Sequence, residues 1–238
     1  MKTVSILDSF KFAFLMIKKN YPLLLLLLFI NFSLSFSSVI LNKIYLLIPA
    51  GTVLAILNFI KTFYLFLIII PSSLIQILII RIGLKGYDAE NKTIPWKDIR
   101  FISVTSMLSY FIRYFAVIII QVFLIMFGLL LFIIPGIIIA IIYGFMDLIL
   151  IEHNLPFKKL FSTSENLTQG IRCKILGYGF IILFLMIPAY VLSIYSPDVF
   201  ILWRSLISAL LFSFIYPIQI FAKVYLYKDA QRQSDPIS

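Results

Sequence analysis

The sequence predicts an all-α fold, a polytopic membrane helical bundle of six transmembrane helices with interfacial amphipathic helices beside them. Three observations predict it. Of 238 residues, 62% are hydrophobic and the mean hydropathy is +1.09, which leaves too little polar surface for a soluble domain of this length. Six apolar runs approach the roughly 20 residues a helix needs to cross a hydrocarbon core about 30 Å thick. Basic residues gather in alternate segments between those runs, as they do on the cytoplasmic side of membrane proteins. The chain reads as a single integral membrane domain over 1–238.

The elements follow in chain order. Residues 1–20 form an N-terminal interfacial helix that sets Phe10, Phe14 and Ile17 against Lys11 and Lys18. The first span is 22–41. Its "LLLLLLFI" has the look of a signal-peptide core, but no A-x-A-like cleavage site follows in "NFSLSFSS", so an uncleaved span is expected. Segment 44–60 is apolar too. Only Lys61 separates it from the second span, 62–80, with no turn residues between. It is therefore expected as an outer-face segment, interfacial or re-entrant, that carries Pro49 and Gly51 into span two. The remaining spans are 115–134, 137–151, 175–194 and 205–222. Trp96 and Trp203 fall where interfacial aromatic belts are expected.

Between spans three and four stands Pro135-Gly136. Proline lacks the N–H that continues a helix and glycine accepts the angles of a reversal, so this pair is expected to close the hairpin. The fourth run rises only about 22 Å. Either the turn dips into the membrane or the helix continues through Glu152 and His153. Asp147 lies in this arm, and Gln121 lies at a similar distance from the turn on the other, their depths differing by roughly 4–5 Å. A protonated Asp147 donating to Gln121 is one expectation, because desolvation favours the neutral carboxyl. A proton-coupled or cation site assisted by Tyr143 is a second, and simple access to interfacial water is a third. A helix over 156–169 then places Phe157, Leu160, Phe161, Ser164 and Leu167 on one face and is expected to lie on the cytoplasmic leaflet. Small residues (Gly177 and Gly179 in span five, Ser205, Ser208, Ala209 and Ser213 in span six) suggest close packing of the last two spans.

Charge sets the orientation. Lys2, Lys11, Lys18 and Lys19 precede span one. Arg81, Lys85, Lys92, Lys97, Arg100 and Arg113 lie between spans two and three. Lys158, Lys159, Arg172 and Lys174 lie between four and five, and Lys223, Lys228 and Arg232 follow span six. These seventeen share one side, against Lys43, Lys61 and Arg204 on the other. Both termini are thus expected in the cytoplasm. The same distribution explains the net charge of +10 without nucleic acid, and it favours the lipid bilayer as partner, with anionic lipids at the cytoplasmic face. Cys173 is the only cysteine and His153 the only histidine, so neither an internal disulfide nor a His/Cys metal cluster is expected.

The stretch "IPGIIIAIIY", a short apolar arm ending in Glu152, and "LFSTSENLTQGIRCKILG" resemble the signature of the YciC-like bacterial membrane proteins. The membrane domain attached to some glycerophosphodiester phosphodiesterases is similar. The matching positions are Pro135, Gly136, Glu152, Ser164, Leu167, Thr168, Gly170, Arg172 and Lys174. The closing "VYLYKDAQR" is similar to the family's ending, with a Tyr just past the last span. Asp147 and Cys173 depart from the pattern, where an apolar and an aromatic residue are expected. The resemblance implies an inner-membrane address and a helical fold, but no reaction.

Three functions compete on the residue inventory. A non-enzymatic helper or scaffold in envelope or lipid homeostasis, acting with membrane protein partners, suits a chain with little room for a soluble domain. A transporter or lipid-handling channel suits the interior prolines Pro71, Pro188 and Pro217, yet Asp147 is the one acid placed clearly within a span. An enzyme would need a base, a metal site or paired carboxylates, and the other acids are scattered along the aqueous margins. The helper is therefore expected, with no cofactor.

Overall fold

The computed structural model describes residues 5–22, 24–27, 29–30, 32–33, 52–89, 104–194 and 201–234. Within them there is no strand, and the helices are α1 (Ile6–Lys19), α2 (Thr52–Asp88), α3 (Val104–Leu131), α4 (Ile133–Ile142), α5 (Met146–His153), α6 (Phe157–Thr168), α7 (Arg172–Ile194) and α8 (Ile201–Ser234). Four segments among the described residues are long and apolar enough to cross a membrane: Tyr110–Leu131, Ile133–His153, Arg172–Leu192 and Leu206–Ser234. The chain is an all-helical membrane protein. In the first span expected at 22–41 the described residues 22, 24–27, 29–30 and 32–33 are helical, while the rest of that span, 44–51 and Trp96 lie outside the described residues.

The outer surfaces explain the composition. Leu130, Phe132, Ile133 and Phe184 are each at least 70% exposed, and such contiguous apolar area is stable only against hydrocarbon or a partner. The core lies at one end of the bundle and centres on α8. There Phe221, Ala222, Val224, Leu226 and Tyr227 are fully buried, and α8 packs against α1, α2, α6 and α7. At Gly83 of α2 an added Cβ would meet Phe221 Cδ1 at 3.0 Å and Val224 Cγ2 at 3.1 Å, so a larger residue would push α2 off α8. The same end holds the start of α3 and the end of α5, joined by Arg113. Its guanidinium donates to Asn154 Oδ1 and, at 2.9 Å, to the carbonyl of Leu155.

Several expectations change. Helix α2 runs unbroken through Lys61 and Pro71. Residues 52–60 are therefore the first turns of one 37-residue helix, about 55 Å long at 1.5 Å per residue. Nothing in that stretch supplies a stop signal, and its length exceeds a hydrocarbon core.

The reversal between α3 and α4 falls at Phe132, whose φ of −161° and ψ of 153° are extended, and not at Pro135-Gly136. Pro135 is the third residue of α4, where a missing N–H costs little because the first-turn donors have no intrahelical partner. Gly136 serves contact. A Cβ there would sit 2.5 Å from Leu129 Cγ, and one on Gly128 would sit 2.8 Å from Gly136 Cα. The two helices leave the turn with their backbones nearly touching. The fourth arm is not short: helix resumes after Tyr143-Gly144-Phe145 and continues through Glu152 and His153.

The two amphipathic helices use their apolar faces against protein. In α1 the buried side chains are Ser9, Phe12, Ala13 and Met16, with Phe12 packed on Tyr87 and Tyr225, while Phe14, expected on the apolar face, is 59% exposed. Ser5 begins this helix by accepting the Asp8 N–H. In α6, Leu160, Ser164 and Leu167 are buried as one face, against α4, α5 and α8. Phe157 stays exposed. The last two spans do meet through small groups, since Ser208 Oγ donates to the carbonyl of Ala189 at 2.9 Å, and Ala189 and Ala209 are buried. Gly177 instead receives Ile6 of α1, and Gly179 has nothing within 4 Å of an added Cβ. The side chain of Ser205 lies outside the described residues.

Candidate functional site

The polar side chains expected to matter are drawn together by a break in a helix. Between α4 and α5 the ladder slips to i→i−3 bonds. Gly144 N donates to the Ile141 carbonyl, and Met146 N donates to that of Tyr143. The carbonyl of Ile142 thereby loses its ordinary partner, the N–H four residues on. A buried carbonyl needs a donor. Ser164 Oγ of α6 donates to it at 2.7 Å. Gln121 Nε2 of α3 donates to the carbonyl of Tyr143. The Ser164 of the family-like motif and the candidate residue Gln121 are thus the caps of one break.

Asp147 does not pair with Gln121. It is the second residue of α5, 2% exposed, and both its oxygens accept from Lys223 Nζ of α8, at 2.8 and 2.7 Å. Gln121 is occupied by the Tyr143 carbonyl, and the depths were counted from a turn that lies three residues earlier, at Phe132. A carboxylate in apolar surroundings is better compensated by a full opposite charge than by an amide. Its place in the first turn of α5 adds the favourable end of the helix dipole.

A second layer of pairs lies one and a half turns towards the charged end. Glu152 accepts from Tyr227 Oη and from Lys228 Nζ. Lys228 also reaches Asp88 of α2 at 2.9 Å, and Gln231 Nε2 lies 2.9 Å from His153 Nε2. Both lysine contacts join residues 76 apart in sequence, so α5 and α8 run parallel in fixed register. Lys223 was the residue missed. Its signal was present: acids five apart, Asp147 and Glu152, face lysines five apart, Lys223 and Lys228.

The remaining motif residues separate into two groups. Leu167 and Thr168 are buried at the end of α6, where Thr168 Oγ1 donates to the Glu165 carbonyl at 3.0 Å. Gly170 is exposed in the turn before α7. Arg172 and Lys174 begin α7, partly buried, outside the ion-pair network.

Above Lys223 opens a groove of about 380 Å³. It is walled by Ile137, Ile141, Leu176 and Phe180, with Gln219 and Lys223 as polar lining. Tyr178 closes one side, its hydroxyl donating to the Gln219 carbonyl at 2.7 Å. The site can therefore hold a largely apolar molecule against one paired cation. Among the described residues no three His, Cys, Asp or Glu side chains form a metal-binding group. Compared with protein-family models, curated proteins and solved structures, the chain matches none.

Proposed function

We propose that this protein is a YciC-like inner-membrane component of six spans with both termini cytoplasmic, acting as a non-enzymatic helper or scaffold in envelope or lipid homeostasis. One observation carries the reading. The acids Asp88, Asp147 and Glu152 and the lysines Lys223 and Lys228 are all committed to pairs that tie α2, α5 and α8 together. None of the five is left unpaired as a base or nucleophile, as an enzyme would need, and Lys223, which lines the groove, is held by Asp147. Gathering of Asp88, Arg113, Glu152 and Lys228 at one end of the bundle supports the orientation that the basic residues suggest. The link from Glu152 to Tyr227 supports the family reading, because it joins the two sequence stretches that carry the resemblance.

A deletion strain profiled for lipid composition and envelope stress tests the role. An altered profile, with the protein co-purifying with an envelope enzyme and no flux on reconstitution, supports it. An unaltered profile refutes it.

The groove gives a transporter reading its own observation, since Lys223 and Gln219 line an opening beside a broken helix. Movement of a solute or lipid by the reconstituted protein, abolished both in Lys223→Met and in the double variant that also carries Asp147→Leu and leaves no stranded carboxylate, would establish that reading instead.

A further inference from the structure

At the start of α7 the ion-pair network leaves a cation over. Arg172 is partly buried, and its Nε is fully buried with no hydrogen-bond partner among the described residues. It lines a recess of about 300 Å³ together with Ile138, Ile141, Cys173 and Leu176. Ile141 and Leu176 also line the larger groove that leads to Lys223, so two apolar recesses adjoin at this α4–α7 contact. Each falls in the size range of small-ligand sites, roughly 300–1,000 Å³.

A desolvated guanidinium donor without an acceptor is unfavourable. The planar fork of arginine matches phosphate in a two-point contact that lysine cannot make. The recess walls are hydrocarbon. An occupant that satisfies both must be anionic at one end and apolar over the rest, and at the basic face of a membrane that describes an anionic phospholipid. We propose that the α4–α7 groove holds one anionic phospholipid, its phosphate on Arg172 and its acyl chains against Ile141 and Leu176. Lys174, two residues further on, adds to the local positive field. This rests on the reading of the chain as an inner-membrane protein with this end at the cytoplasmic face, and it names the lipid class such a component would carry.

The test titrates the full chain, purified in a neutral detergent, with phosphatidylglycerol and with phosphatidylcholine of the same acyl chains. Bound lipid is counted by native mass spectrometry. Phosphatidylcholine presents the same phosphodiester but neutralises it with its choline cation, so phosphatidylglycerol, with its net negative charge, should bind about tenfold tighter or more. Arg172→Gln should remove that preference, Arg172→Lys should keep part of it, and Lys158→Gln, an exposed cation of α6, should keep all of it. Ile138→Trp, which fills the recess and leaves Arg172 in place, should weaken both lipids. Inorganic phosphate at the same concentration should not compete. The proposal is overturned if phosphatidylglycerol binds Arg172→Gln or Ile138→Trp as it binds the wild type, if the two lipids bind equally, or if free phosphate displaces the lipid. Binding by isolated protein stands apart from physiology, so a deletion strain with unaltered lipids would count against the helper role alone.

Discussion

Lys223→Met should destabilise the bundle more than any other single loss of charge, because it strands Asp147. The Asp147 side chain is 3% exposed and accepts two bonds, both from Lys223, whose own side chain is 24% exposed. Removing one partner of a buried pair typically costs about 3–5 kcal/mol. The part-exposed lysine reduces that, since water already screens some of the attraction, to about 2–3 kcal/mol. For a chain of this size that lowers the melting temperature by about 4–12 °C. Asp147→Leu alone should cost less, because the stranded lysine can extend towards water. The double variant Asp147→Leu with Lys223→Met should recover most of the loss, which is a coupling of at least about 2 kcal/mol in the cycle. Melting is followed by size-exclusion chromatography of heated detergent samples, since a thiol dye would react with the exposed Cys173 of folded protein. If Lys223→Met melts like wild type, or if the two changes simply add, the pair is not what compensates Asp147.

Four further outcomes can be checked in the same preparations or in cells. Gly136→Val places a side chain where Leu129 atoms lie 2.5–2.8 Å from the Cβ and should cost about 1–3 kcal/mol by overpacking the hairpin, read as a lower melting temperature. Ser164→Ala leaves the Ile142 carbonyl without the hydroxyl that donates to it at 2.7 Å and should cost about 1–3 kcal/mol, while Ser162→Ala, on the exposed face of α6, should leave melting unchanged. Replacing Ser208 and Ala209 together by Leu should separate α7 from α8 and lower stability in detergent, because both side chains are buried at that contact. Reporter fusions after Lys92 and Glu165 should behave as internal and those after Lys43 and Asp198 as external; an internal result at Lys43 would refute the six-span topology.

What could be read from the sequence divides along physical lines. Helicity and membrane class follow from composition, which every residue contributes to; α7 and α8 cover the apolar runs expected of them, and α3 covers 115–131 of the run expected to reach 134. The Pro-Gly turn was misplaced by three residues because the two glycines solve a packing problem. Gly128 and Gly136 matter as absent side chains facing each other, and no local rule about turns records a neighbour eight residues away. Which face of α1 meets protein was not legible for a similar reason. A helix with Leu7, Phe12, Phe14 and Leu15 spread around it has several apolar stripes, and the one that is buried is chosen by the aromatic rings of Tyr87 and Tyr225 waiting on α2 and α8. The partner of Asp147 stood 76 residues away. Depth counting along a hairpin reaches only the neighbouring arm, so Lys223 was grouped with the aqueous cations.

The buried charges also answer a problem that apolar helices pose. Lipid is as apolar as leucine, so hydrophobic burial does not by itself tell one membrane helix where to stop along another. Side chains such as Ile220, Phe221 and Val224 would pack against neighbours tolerably after a slide of one turn. The ion pairs would not. Asp147 with Lys223 and Glu152 with Lys228 share the offset of 76. A shift of α8 by four residues, about 6 Å, would break both pairs at once and leave two carboxylates facing hydrocarbon or aromatic rings. Each stranded charge at membrane depth carries a penalty of at least about 2.5 kcal/mol. Two pairs in one register therefore exclude slipped packings more strongly than they add to the stability of the correct one, which is why the double replacement should recover stability. The variant lacking both Asp147 and Lys223 should melt near wild type yet hold its register through Glu152 and Lys228 alone, and its amide exchange along α8 should become faster than wild type. Wild-type exchange rates in that double variant would show that the Asp147–Lys223 pair is not needed to set the register.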